Sequence, residues 1–347
     1  MKVIVLGAGV VGVATAYYLA RDGHQVSLVD RNQGAALEAS YANGGQLSYS
    51  YVAPLADPAV WPKLVPWLLS PSSPVRFRPQ LDARQWRWCL QFLAACRSLR
   101  SAETTRHLLR LGHASRRLMH ELLADDPALD FAHANSGKLV VYRDAAALES
   151  ARRQVDFQQR LVRDDDYRQE VLDRAACMAI EPALDGLRGE IVGGVHTASE
   201  DTADCYRFSG ELLDRILAAS PENRCFFATS INGLSVRQGE VVGVETSAGR
   251  LEADAYVLAA GCDSERLARR AGLSLPIYPL KGYSLTAPIS DPEAAPTLSV
   301  TDFQRKIVYA RLAGRLRVAG IADIGGYDGS IAPRRLATLL GEARGAF

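Results

Sequence analysis

The sequence predicts an α/β fold of two interleaved domains, and three observations predict it. Residues 3–30 read strand, glycine turn, helix, strand; residues 84–124 carry two helical stretches; and from residue 225 onward short β segments joined by glycine turns prevail. The chain has 347 residues, enough to bury a sizeable core, with 48% hydrophobic and 23% charged residues, as in ordinary globular proteins. A formal net charge of +1 gives no electrostatic footing for a nucleic-acid partner.

The first element, "VIVL" at residues 3–6, is a short uncharged run of strand formers, as in a parallel strand buried on both faces. The glycines Gly7, Gly9 and Gly12 follow, and "VGVATAYYLARDG" then packs small and apolar residues at helical spacing up to Gly23, a natural C-cap. A second strand, "HQVSLVD", closes on Asp30. This is the context a G-x-G-x-x-G match requires, and it predicts a Rossmann-like dinucleotide-binding unit. Gly7 permits the tight turn, Gly9 lets backbone N–H groups approach a pyrophosphate, and Gly12 lets helix pack on strand. The helix N-terminus supplies partial positive charge. Asp30 stands 18 residues beyond Gly12, near the spacing of the acid that bonds a ribose 2′-hydroxyl, and its charge disfavours a 2′-phosphate. NAD and FAD stay open at this point, because both use the same turn. A secretory signal, suggested by Lys2 and by Ala14-Thr15-Ala16, is set aside because the apolar run continues into this unit.

Residues 31–80 read as irregular, rich in Pro, Gly, Ser and Tyr. Within them the aromatic stretch 51–74 is interrupted by prolines, and reads as a loop packed on the core or as a lid or lipid-touching surface. The helices of 84–124 carry many basic residues interleaved with Leu, a solvated face. "GKLVVYRD" reads as a strand and 145–175 as a charged helical segment. The polar loop "GGVHTASEDTADC" ends at Asp204, a suitable N-cap for the next helix, and His196 within it reads as structural. "CFFATSINGLSV", "EVVGVETSAG" and "LEADAYVLAAG" read as β segments, and the final third as two or three strands with a closing helix. Six scattered cysteines without a C-x-x-C pair suggest reduced thiols, and neither a disulfide framework nor a metal site is expected. No segment approaches the ~20 apolar residues of a membrane span, so a cytoplasmic protein is expected.

Several of these stretches together resemble the D-amino acid dehydrogenases, flavoproteins of the D-amino acid oxidase superfamily. They are "VIVLGAGVVGVATAYYLARDGHQVSLVDR", "GAALEASYANGGQLS", "GGVHTASEDTADC", "ADAYVLAAGCDSERL", "YPLKGYSLT" and "RLRVAGIADIGGYD". The resemblance implies a Rossmann-like FAD-binding domain, residues 1–83 plus 190–265, interleaved with an α+β substrate domain, residues 84–189 plus 266–347. It implies FAD as cofactor and oxidative deamination of D-amino acids to 2-oxo acids and ammonia. Electrons would pass to a respiratory, quinone-type acceptor, with peripheral contact at the inner face of the inner membrane through the loop 51–74. Onto the family's phosphate turn fall Gly7, Gly9 and Gly12, with Val10 and Val11 between them, and onto its ribose carboxylate falls Asp30, followed by Arg31. Ser40, Asn43, Gly44 and Gly45 fall in the segment that runs along the cofactor toward the flavin, and Gly261 ends a strand that passes close to it.

Hydride transfer from a neutral amine needs positioning and charge complementarity more than a general base. A substrate carboxylate suits an Arg fork, and Arg311 shares a strand face with Tyr309; Lys281 and Tyr283 in "PLKGY" share another. These four are the candidate catalytic and substrate-anchoring residues. Family chains continue into a closing segment with G-L-R-P-x-T-P-D-G-like and G-H-G-like motifs, and neither occurs in these 347 residues. Three alternatives therefore stand beside the main reading. They are a cousin acting on D-hydroxyproline, glycine or another secondary amine, a truncated and catalytically silent FAD-binding protein, and, weakest, an NAD-dependent dehydrogenase.

Overall fold

The computed structural model describes residues 1–64, 73–161, 167–187 and 189–346, which form two compact units. The first unit comprises Met1–Asn43, Leu129–Phe131 and Asp204–Tyr278; the second comprises Gly44–Ala128, Ala132–Ala203 and Pro279–Phe347. The compact units divide at 43/44 and 203/204, where residues 44–83 and 190–203 give their strands to the second unit's sheets.

The first unit is built on a parallel four-stranded sheet in the order Ala255–Leu258, Lys2–Leu6, Gln25–Val29, Arg224–Phe226. The helix Val10–Arg21 packs beside the helix Cys205–Ala219. The second helix is started by Asp204, whose Oδ1 accepts the N–H groups of Tyr206 and Arg207 at 3.1 and 3.3 Å, satisfying two first-turn donors. The antiparallel strands Ile231–Arg237, Glu240–Thr246 and Gly249–Leu251 form a second sheet, and Val244, Leu234 and Leu251 pack with Ile4, Leu6 and Val29 in one core cluster.

The second unit is built on an eight-stranded mixed sheet. Its main path runs Lys281–Pro288, Arg315–Ile324, Ile307–Leu312, Ser299–Asp302, Lys138–Tyr142, Gly193–Thr197, Gln169–Asp173, and Val75–Phe77 adds a parallel edge to Arg315–Ile324. Along the path only Ser299–Asp302 and Lys138–Tyr142 pair in parallel. One face is closed by an apolar core in which Leu139, Val141, Val300, Ile307, Tyr309 and Val318 meet Cys177 of the helix Arg174–Ile180 and Leu339 of the helix Pro333–Ala343. The segment 145–175, read from sequence as helical throughout, divides instead into the helix Ala145–Leu161 and the strand Gln169–Asp173. The charged run of that strand follows its pairing with Gly193–Thr197, not its own periodicity. Among the described residues no helix is long and apolar enough to cross a membrane.

Candidate functional site

The glycine turn has the geometry its spacing predicts. Gly7 has φ +110°, a conformation that L side chains rarely adopt, and a Cβ there would collide with the Ala259 carbonyl. A Cβ on Gly12 would collide with the Gly7 carbonyl, so helix and strand touch backbone to backbone. Gly9 differs. Its nearest neighbour for a Cβ is Ser40 Oγ at 3.5 Å, so the space above it is open to a ligand. Gly9 is also the N-cap of Val10–Arg21, with no side-chain cap and no acid in the first turn. A helix N-terminus whose own cap residue has no side chain, beside an open glycine, is the arrangement that receives a phosphate.

Asp30 holds this turn together. Its Oδ2 accepts the Ala8 N–H at 2.8 Å, and its Oδ1 accepts Asn32 N–H and Nδ2–H at 2.8 and 3.0 Å. A carboxylate has about four acceptor positions, so capacity for a hydroxyl donor is left. Arg31, expected among the cofactor residues, is committed to Glu38 and Asp263 at 2.5 and 2.7 Å, bracing the loop after Asp30 against the 3₁₀ turn Gly261–Asp263. Ser40 Oγ accepts the Val10 N–H at 3.0 Å, and the Cys205 thiol is hydrogen-bonded to the Ser40 and Asn43 side chains. Cys205 was missed from sequence because nothing in a lone cysteine marks such a contact. Val10 and Val11 open the helix as expected. Gly261 does not end the strand, which stops at Leu258; Ala259 and Ala260 make the approach to Gly7, and Gly261, at φ +53°, opens the following turn.

Replacing Asp30 by Ala should weaken FAD binding by roughly 1–3 kcal/mol, because Ala8 N–H and a ribose hydroxyl both lose an acceptor. Flavin titration of apoprotein measures it, and unchanged affinity removes Asp30 from the site.

The second unit begins at Gly44. Added Cβ atoms on Gly44 and Gly45 would lie 3.2 Å from Val308 Cγ2 and 3.1 Å from Leu312 Cδ2, so this backbone runs hard against one face of the large sheet. That face is polar further on. The Gln46 amide donates to Ser299 Oγ and, at 3.3 Å, to Thr301 Oγ1, while Lys138 Nζ donates to Gln46 Oε1 at 2.7 Å and to Ser48 Oγ at 2.9 Å. The ammonium also stands 4.3 Å from the Tyr51 ring centre. Glu200 Oε1 accepts the backbone N–H groups of Tyr49, Ser50 and Tyr51 at 3.0, 2.6 and 3.2 Å. Burial pushes the Lys138 pKa down to about 8 against the pull of Glu200, and pushes the Glu200 carboxyl up. An ammonium beside amide and hydroxyl donors is a donor set that suits a carboxylate.

The four substrate candidates lie away from this face. Tyr309 and Arg311 share a face as alternation predicts, but it is the one covered by apolar core, where Tyr309 is fully buried. Arg311 donates to the carbonyls of Pro296, Pro292 and Ala295 at 3.1, 2.5 and 2.6 Å and so braces a loop. Tyr283 sits in the same core, donating to Asp323 Oδ2 at 3.1 Å. Lys281 donates to the Ser330 carbonyl at 2.9 Å. Strand alternation says which side chains share a face, not which face a distant helix will cover.

A family profile described as "FAD dependent oxidoreductase" (DAO) matches residues 2–347. The chain belongs to this family. It is thus an FAD-dependent oxidoreductase, and the open glycine turn at the start of its helix fits the diphosphate of that cofactor. Among curated relatives it is 48% identical to D-amino acid dehydrogenase 2 of Ralstonia nicotianae, over 100% of this chain and 81% of that one. To D-amino acid dehydrogenase 2 of Pseudomonas aeruginosa it is 45% identical, over 100% of this chain and 80% of that one. Among solved structures, the fold is similar to that of glycine oxidase from Geobacillus kaustophilus. The TM-score is 0.72 at 19% identity, covering 99% of this chain and 78% of that one. L-proline dehydrogenase from P. horikoshii gives a TM-score of 0.68 at 15% identity, covering 99% and 75%.

Proposed function

We propose that the chain oxidises D-amino acids, removing a hydride from Cα and a proton from the nitrogen to give an imino acid that water converts to a 2-oxo acid and ammonia. The observation that carries this is identity of 48% and 45% along the whole chain to two proteins named D-amino acid dehydrogenase. FAD, when bound, supplies the acceptor for the hydride. On this reading Gly7, Gly9, Gly12, Val10 and Val11 hold its diphosphate, Asp30 its ribose, and Ser40 and Asn43 fix the helix starts beside it. Gly44 and Gly45 let the segment after Asn43 lie close against Val308 and Leu312. The substrate carboxylate is received on the sheet face of Lys138, Gln46 and Ser48, where the buried ammonium would exchange its bonds to Gln46 Oε1 and Ser48 Oγ for the carboxylate. Electrons leave for a quinone-type acceptor, and the chain lies peripherally on the inner membrane through the loop 51–74. Support for that contact is the exposure of Leu55 and Trp61; residues 65–72 of the loop lie outside the described residues.

The test is an absorbance spectrum of the purified chain, then anaerobic addition of a D-amino acid mixture. Flavin bands that bleach are expected. Bleaching by glycine or D-proline alone would move the assignment to a cousin acting on glycine or on a secondary amine, and bands that never bleach would identify a silent flavin-binding protein. A 2-oxo acid, which does not titrate near neutrality, should bind progressively more weakly above about pH 8, as Lys138 loses its proton. Affinity that is flat through that range would take Lys138 out of the substrate site.

A further inference from the structure

Two imidazoles and one carboxylate converge in the second unit, well apart in sequence. His120 lies on the long helix Ser98–Asp125, His133 on the connection that follows, and Asp201 on the short strand Asp201–Thr202. His120 Nε2 and His133 Nε2 stand 3.0 and 3.2 Å from Asp201 Oδ2, and the three ligand atoms all lie within 4.8 Å of one another. We propose that these residues form a site for a divalent cation of the zinc class, which nothing in the oxidation chemistry requires.

The donor set selects the ion. Imidazole nitrogen with one carboxylate oxygen suits Zn²⁺ and its neighbours, while Mg²⁺ and Ca²⁺ prefer oxygen alone. A tetrahedral ion with bonds of about 2.0–2.1 Å spaces its ligand atoms about 3.4 Å apart; each Nε2 already stands near that distance from Asp201 Oδ2, and the two imidazole nitrogens, within 4.8 Å, turn onto the ion as it enters. The surroundings hold the ligands in place. Asn135 Nδ2 donates to Asp201 Oδ1 at 3.1 Å and Tyr49 OH to Oδ2 at 3.0 Å, orienting the carboxylate from outside the ligand set. Reciprocal backbone hydrogen bonds between Ala134 and Thr202, both 2.9 Å, fix His133 beside the strand of Asp201. Tyr49 is fixed in turn by Glu200, which accepts its N–H.

Charge and access agree. Asp201 is almost wholly buried, and burial works against its ionisation, yet hydrogen bonds from His133, His120 and Tyr49 hold its carboxyl below the usual range. The anion is therefore present at neutral pH. The His120 side chain is about one-third exposed (34%), which leaves a way in from solvent. The charge of Arg116, which acts on Tyr49, opposes a cation here and moderates the affinity. Coordination uses the lone pair on each Nε2, with the ring proton held on Nδ1. The site would pin the long helix and the connection after it to the strand at Asp201. Cysteine spacing is the usual sequence sign of zinc, and its absence hid this site.

Flavoprotein dialysed against chelator and titrated with ZnCl₂ in a calorimeter tests the proposal. One equivalent should bind at pH 7.5, with a rise in melting temperature. His133→Gln and His120→Gln should each lower affinity roughly 100-fold or more while flavin content is unchanged. Co²⁺ added to the wild type should give visible d–d bands beyond the flavin absorption, absent from both variants. No saturable uptake below millimolar Zn²⁺, or uptake unchanged in the double variant, overturns the site. If His133→Gln does not fold, His120→Gln on the exposed helix face decides alone.

Discussion

Gly12→Ala is expected to purify without flavin and to lose several kcal/mol of stability, because its Cβ would enter the space of the Gly7 carbonyl. No side-chain rotation can relieve a clash between a Cβ and backbone. The strand and helix would have to separate, and with them the turn that meets the phosphates. Gly9→Ala makes the informative contrast. Its Cβ meets only Ser40 Oγ, at an ordinary 3.5 Å, so the fold should survive. The added methyl then stands where the diphosphate must approach, and flavin affinity should fall by about tenfold to a thousandfold. Thermal unfolding of both apoproteins and flavin titration of each separate the two roles. Equal losses of stability in the two variants would mean that the glycines are interchangeable.

The second large effect is expected at Glu200. Glu200→Ala removes the acceptor of three backbone N–H groups and the carboxylate whose field supports Lys138, and should cost about 3–5 kcal/mol in denaturant unfolding. Glu200→Gln keeps a carbonyl acceptor but no charge, and should lose less than half as much. With the charge gone in either variant, the Lys138 pKa should fall below its value of about 8, since burial alone would then set it. Equal stability of wild type and Glu200→Ala would show that the three N–H groups find other partners.

What the sequence made legible was local. Gly7, Gly9 and Gly12 fix a strand, a turn and a helix within a dozen residues, and their spacing is itself the geometry. Asp204 likewise caps the helix next to it. The misread residues take their roles from chain far away. Gln169–Asp173 is a strand because Gly193–Thr197 lies beside it. Tyr309 and Arg311 point where they do because helices elsewhere in the chain cover that face. Lys138 reads as an ordinary strand residue in "GKLVVY", and only Gln46 and Ser48, about 90 residues earlier, bury it.

The position of the first strand bears on how the protein is made. Lys2–Leu6 lies inside its sheet, with Gln25–Val29 on one side and Ala255–Leu258 on the other. On the ribosome the second neighbour is missing until some 250 further residues are synthesised, roughly 12–50 s at 5–20 residues per second. Throughout that interval one edge of an apolar strand has unpaired N–H and C=O groups. Such an edge is a template for another nascent chain, and holding it apart is work for a chaperone. Expression should therefore respond to slower translation and lower temperature more than the stability of the finished fold would suggest.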